Sequence, residues 1–370
     1  MILYTQIFLT LIIIIIYQIK VLQSNQKEKI VNFDLQKNGF NIYDNQHNNQ
    51  YNNKKITFIA DLKSFSEELS QNRYDLLKHL SNINNINIIT PKNITYNKQL
   101  ILNSDYLILY FIRPKNHISS NKLLDIIPYI KNIKDVSKIY IFIEDIYHIQ
   151  NIIRLTNYFK INNIILSMKH KEIKNNLLNY NQNLNIKEYI PLIDKRIFKF
   201  PYETLKEIKK YDILIYGNVN SNVYPLRNYI LNILKNYNDI FKIKVISFEN
   251  SDYKLKDDMY INENLSKLIS QSYLTLACTS KYDFLLKKYL EIPFSGSMIL
   301  GNIPTNYNLF FNENTIEYID IYMDENEIIH RIKDVLSDKD KLLWKTYQLY
   351  QSIKHFNFEN SHLYLDKILD

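Results

Sequence analysis

Short, unbroken apolar runs alternate along most of the chain with longer stretches whose apolar residues recur at helical spacing. An unbroken run suits a strand covered on both faces, whereas the helical spacing suits a helix with one buried face. Lys55–Asp61 (KITFIAD) reads as the first such strand, followed by a helix over Glu67–Leu80. Ile86–Ile89 (just before Thr90-Pro91), Tyr106–Ile112, Ile139–Ile143 and Ile164–Leu166 read as further strands, separated by helix-compatible sequence. Strands that alternate with helices predict a parallel sheet. A first Rossmann-like unit is expected over residues 54–195.

The pattern then restarts. Tyr211–Gly217 is a strand closing on a glycine, and Tyr224–Lys235 is helical after Pro225. Lys242–Ser247, Leu274–Cys278 and Met298–Leu300 read as strands; Leu265–Ser270, Asp283–Pro293 and most of the chain from Ile328 onward read as helices. A second unit over 196–370 follows, with Lys195–Lys210 as the connection. The fold class is α/β, with two parallel-sheet units facing a crevice, and a ligand is expected at the carboxyl ends of the strands.

The N-terminus breaks the alternation. Met1–Ile19 carries no charged side chain, and Ile2–Leu22 is interrupted only by Lys20. About 20 apolar residues span a bilayer as a helix. No basic n-region or small-residue cleavage site suggests a signal peptide, so 1–22 reads as a single-pass anchor. Lys20, Lys27 and Lys29 follow it, which would keep the catalytic part on the cytosolic side. Two sequons, Asn93-Ile94-Thr95 and Asn264-Leu265-Ser266, would take glycans only on the lumenal side. Residues 23–53 are Asn/Gln-rich and read as a polar tether.

Composition sharpens the reading in places. With only 4 glycines, each marks a place where the backbone demands one, whereas 31 tyrosines make any single Tyr uninformative about sugar stacking. Lys and Arg exceed Asp and Glu by 46 to 38, yet no compact Arg-rich block suggests a nucleic-acid partner. The single cysteine, Cys278, excludes an internal disulfide and a Cys-based zinc site, and the histidines show no HExxH spacing. No metal is expected. No GxGxxG follows a predicted strand, which argues against a nicotinamide cofactor.

Four segments carry a resemblance. They are Tyr189-Ile-Pro-Leu-Ile-Asp194 with Phe198; Asp212–Asn218 with Tyr224-Pro-Leu-Arg227; Leu265–Ser272; and Ser280–Asp283 through Lys288–Gly296. In order and spacing they resemble the group-1 glycosyltransferases of the GT-B class, particularly the spore-maturation, CgeB-like subset. The resemblance covers roughly residues 189–305. It implies transfer of a sugar from a UDP- or GDP-linked nucleotide-sugar co-substrate, held by the second unit, to a glycan, lipid or protein acceptor on the first. It further implies a retaining, metal-independent reaction with no other cofactor.

Candidate residues follow from the two readings together. Gly217 and Asn218 would let backbone approach the diphosphate, or else form an ordinary turn. Arg227 offers a phosphate fork, or else lies solvated on its helix. The resembling family spaces two carboxylates E-x7-E. Glu291 takes the later, ribose-binding place; Asp283 takes the earlier one near the sugar, where the family has Glu. A solvated pair between Lys287 and Glu291 is the alternative. Lys288, Ser295 and Gly296 complete the donor set, the last two through backbone N–H groups. In the first unit Asp61, Arg113, Glu144 and Asp145 stand at strand ends, and Asp145 is the candidate catalytic base if the reaction inverts, or else a helix cap. His148 reads as a helix-face residue. A GT-B scaffold without turnover, and a nucleotide-sugar epimerase, are the competing functions.

Overall fold

The unbroken apolar runs become the inner strands of two all-parallel sheets. The computed structural model describes residues 54–60, 71–83, 85–111, 122–144, 146, 149–248 and 262–369. The anchor and tether expected over 1–53, and Asp61, Arg113, Asp145 and His148, lie outside the described residues. No helix among those described is long and apolar enough to cross a membrane.

The first sheet contains β1 (Ile56–Ala60), β2 (Ile86–Ile89), β3 (Tyr106–Phe111), β4 (Ile139–Ile143), β5 (Asn163–Leu166) and β6 (Asn185–Glu188), in the order β2-β1-β3-β4-β5-β6. Every residue of β1 and β4 is buried, as befits inner strands covered on both faces, while β2 and β6 at the edges keep partly exposed positions. Each fully buried Ile or Leu here is worth roughly 1.5–3 kcal/mol. Helices α1 (Gln71–Ser81), α2 (Lys98–Asn103), α3 (Lys122–Ile133), α4 (Ile149–Phe159) and α5 (Lys171–Tyr180) connect the strands. The short polar strand β6 was not visible in the hydrophobic pattern, because NIKE at an edge buries little.

The second sheet contains β7 (Tyr211–Asn218), β8 (Ile243–Phe248), β9 (Ser272–Ala277), β10 (Met298–Gly301) and β11 (Glu317–Tyr318), in the order β11-β10-β9-β7-β8. Its helices are α6 (Pro225–Leu234), α7 (Asn262–Ser270), α8 (Lys288–Phe294), α9 (Glu325–Ser337), α10 (Lys339–Ile353) and α11 (Ser361–Leu369). Starting from its first strand, each sheet runs 2-1-3-4-5, with β6 added to the first. In the second sheet the connections diverge between β7 and β9. That divergence opens a crevice at the carboxyl ends of those two strands.

Two expectations need correction. The helix predicted over Asp283–Pro293 begins only at Lys288. Asp283 holds φ +55, outside the helical region, and Phe284 is drawn into the core of the first half. The C-terminal stretch does not stay with the second half either. Ile193 exchanges backbone hydrogen bonds with Phe356 and Phe358, Phe358 lies against His79 of α1, and Tyr364 of α11 lies edge-on to Tyr189. Residues 356–364 thus lie against the first half.

Candidate functional site

At the β7–β9 divergence, β7 closes on Tyr216-Gly217-Asn218. Gly217 holds φ +93, a left-handed conformation that L side chains avoid, and an added Cβ would lie 2.6 Å from Lys288 Nζ and 3.4 Å from Arg227 Nη1. The glycine is what lets two cations close on one backbone turn. Asn218 stabilises that turn: its Oδ1 accepts from the Asn220 N–H at 2.7 Å, and its carbonyl accepts from Arg227 Nη1 at 2.5 Å.

Arg227 is not a solvated helix residue. It stands in the first turn of α6, is 1% exposed, and packs over the Tyr224 ring at 4.3 Å. Its Nε and Nη2 are buried with no hydrogen-bond partner among the described residues. Buried donors are nearly always satisfied, so two on one guanidinium mark a functional candidate. Lys288, in the first turn of α8, donates to the Tyr216 carbonyl and lies 3.5 Å from the centroid of the Tyr216 ring. Burial, reinforced by the Arg227 charge, pushes the Lys288 ammonium well below its usual range.

Glu291 lies one helical turn after Lys288. Its Oε2 accepts from the Tyr216 hydroxyl at 2.8 Å, so a side chain from β7 fixes the carboxylate. Burial pushes its carboxyl up, against the opposing pull of Tyr216 and the two lysines. Lys287 lies 4.0 Å from Glu144, at the end of β4 in the first half. Gly217, Asn218, Arg227, Lys288 and Glu291 are thus brought together around one turn.

Asp283 sits beside this group rather than in it. Its carboxylate accepts the Thr305 N–H at 3.2 and 3.4 Å, on the segment after β10. Ser295 and Gly296 leave the donor set. The N–H of Ser295 bonds to the carbonyls of Glu291 and Ile292, that of Gly296 to Pro293, and that of Ser297 to Ile292. This is a Schellman ending of α8, with Gly296 at φ +75, and it consumes the N–H groups expected to face phosphate. The Ser295 hydroxyl is buried against Ser266 Oγ at 3.0 Å. That contact also buries the hydroxyl of the second sequon, whereas Asn93 and Thr95 are exposed.

The sequence reading missed Tyr216, which 31 tyrosines conceal. It named Glu144 without singling it out. Asn302 was missed as well: it fixes the end of β9 by accepting from the Thr279 N–H (2.9 Å) and donating to Thr279 Oγ1 (2.7 Å). Among the described residues no group of three or more His, Cys, Asp or Glu side chains is placed to hold a metal ion.

No family model matches the chain, and no curated protein matches it in sequence. Solved structures do match. An alpha-glucosyltransferase in complex with UDP-glucose and DNA containing an abasic site superposes with TM-score 0.56 at 12% identity, over 85% of this chain and 98% of that one. Sucrose-phosphate synthase from Thermosynechococcus elongatus gives 0.53 at 8%, over 84% and 97%. Anabaena HepE in complex with UDP gives 0.51 at 10%, over 85% and 99%. At these identities the likeness is one of fold, and the fold is that of the GT-B glycosyltransferases.

Proposed function

We propose that this chain is a glycosyltransferase that binds a nucleotide-sugar donor at the β7–β9 crevice of its second half. The observation that carries the reading is the cation pair on the Gly217 turn. Arg227 keeps the N–H groups of Nε and Nη2 buried and without a partner among the described residues, Lys288 lies on the other side, and Glu291 is fixed one helical turn away. A diphosphate would supply the acceptors the guanidinium lacks, and a carboxylate held by Tyr216 suits a ribose diol. The same two cations would stabilise negative charge on the departing diphosphate, so the reading calls for no metal. Two of the structural neighbours were solved in complex with UDP-glucose and with UDP, which supports a uridine-linked donor.

A retaining outcome and a glycan, lipid or protein acceptor on the first half belong to the proposal, as do tethering through 1–22 and the narrower likeness to the CgeB-like subset. The competing scaffold reading is favoured by one observation, that the Asp283 carboxylate is engaged by the Thr305 N–H.

One experiment separates the two. The full chain, in detergent, is incubated with UDP-, GDP-, dTDP- and CMP-sugars, and free nucleotide is followed with Glu291→Ala alongside. Release from one donor that the variant loses supports the transferase. No release from any donor and no thermal stabilisation by any nucleotide would leave the scaffold.

A further inference from the structure

The segment Ser280–Lys287 carries Asp283 and leads directly into Lys288 and Glu291, yet its anchors lie in the first half. Phe284 is buried inside the first half's hydrophobic core, and Leu286 packs against the same core. Between these anchors and β9 sits Asp283 at φ +55. A non-glycine residue in the left-handed region is strained, and it persists only where its surroundings hold it. Thr305 grips its side chain. What grips the backbone just before it is a histidine from the other half.

That histidine is His170, which precedes α5 and is 6% exposed. Its Nδ1 accepts the Ile173 N–H at 3.2 Å, capping the helix. A ring nitrogen that accepts carries no proton, so the proton lies on Nε2, which donates to the Tyr282 carbonyl at 2.7 Å. The ring packs edge-on against Phe284, with centroids 5.2 Å apart. The backbone N–H of His170 reaches Glu188 Oε1 at 3.3 Å, which fixes the residue to the edge of the first sheet. A cap needs one acceptor, which Asn or Ser supplies as well. The imidazole does more: its second nitrogen crosses to the donor half.

We propose that His170 is a positioning residue for the donor site: it ties the Tyr282 carbonyl to the first half and so sets the strained turn at Asp283 and the entry to Lys288 and Glu291. The inference rests on the donor reading above. It assigns to the first half, besides the acceptor, a hold on the donor loop.

Two substitutions divide the functions of the ring. His170→Asn keeps an acceptor near the Nδ1 position and the cap, but does not reach Tyr282. His170→Gln places an amide N–H near the Nε2 position and gives up the cap. On the full chain in detergent, without ligand, amide exchange is compared in two places. One is Lys281–Asp283, whose N–H groups bond to Val223 O, Ser280 Oγ and Ser280 O; the other is the first turn of α5. His170→Asn should speed exchange in the loop by roughly five- to tenfold, the scale of one lost hydrogen bond, and leave α5 unchanged. His170→Gln should show the reverse. With UDP-glucose as probe, KM for UDP release should rise by a similar factor in His170→Asn, with kcat less affected, and stay near wild type in His170→Gln.

Unchanged loop exchange in His170→Asn, or a loosened loop with unchanged KM, overturns the proposal. A wild-type protein that neither binds nor turns over UDP-glucose overturns the functional arm together with a uridine-linked glucose donor. The exchange comparison then shows separately whether His170 holds the loop.

Discussion

Arg227 shows how one residue sets stability against function. Its guanidinium is buried, donates one hydrogen bond to Asn218 and leaves Nε and Nη2 without partners among the described residues. A buried charge that is incompletely paired lowers stability, and apolar residues of similar volume often replace such groups without loss. Arg227→Met should therefore keep its unfolding free energy within about 1 kcal/mol of wild type, or raise it. The same substitution should weaken nucleotide binding by roughly 10- to 100-fold, the scale of the charge-assisted bonds removed. Urea titration and nucleotide calorimetry on one preparation check both halves. A variant that unfolds while its residual fraction still binds would show that the arginine serves the core alone.

At the scale of the element, α8 connects local sequence to the site. Its first turn presents Lys288 and Glu291, and Gly296 ends it in a Schellman motif. The glycine is required twice over. Its φ is +75, and a Cβ would lie 2.5 Å from Pro201 Cγ, on the segment that connects the two halves. Gly296→Ala should cost about 2–4 kcal/mol, combining the left-handed penalty with overpacking. Donor KM should stay within about twofold, because the motif's N–H groups bond to helix carbonyls rather than to ligand. Thermal melting and nucleotide-release kinetics test this, and a tenfold rise in KM would return Gly296 to the binding set. The hydrophobic pattern located α8 but started it five residues early. Phe284 and Leu286 are as apolar as a helix face, and periodicity does not reveal that they pack into another core.

The whole molecule is joined through the connecting segment, where Lys209 is 8% exposed and donates to the carbonyls of Ser270 (2.9 Å) and Gly296 (2.6 Å). Burial pushes its ammonium down to about 8. Between that value and the ordinary lysine range the unfolded chain binds a proton that the folded chain does not. Stability should therefore rise with pH through this window and carry the full penalty below it. Relative to Lys209→Met, wild type should gain about 2 kcal/mol between pH 7 and 9.5. Urea midpoints of the two proteins at pH 7 and 9.5 give the difference, and tyrosine ionisation cancels between them. A difference that does not change with pH would mean the ammonium stays charged when buried.

The sequence by itself determined the two parallel sheets, since unbroken runs such as ITFIA and ILIY, alternating with stretches of helical spacing, suit strands covered on both faces. It also singled out Gly217 and Glu291 as candidates, because a scarce glycine at a strand end and a carboxylate at a spacing shared with the resembling family are local signals. The tertiary structure alone decided the rest. It put Tyr216 on Glu291, buried Arg227, spent the N–H groups of Ser295 and Gly296 on a helix end, and returned the C-terminal stretch to the first half. It also tied Tyr282 to His170, 112 residues away. The physical reason is range. Strand and helix periodicity follow from neighbouring residues, whereas a hydrogen-bond partner depends on which elements the packing of two sheets brings within about 3 Å.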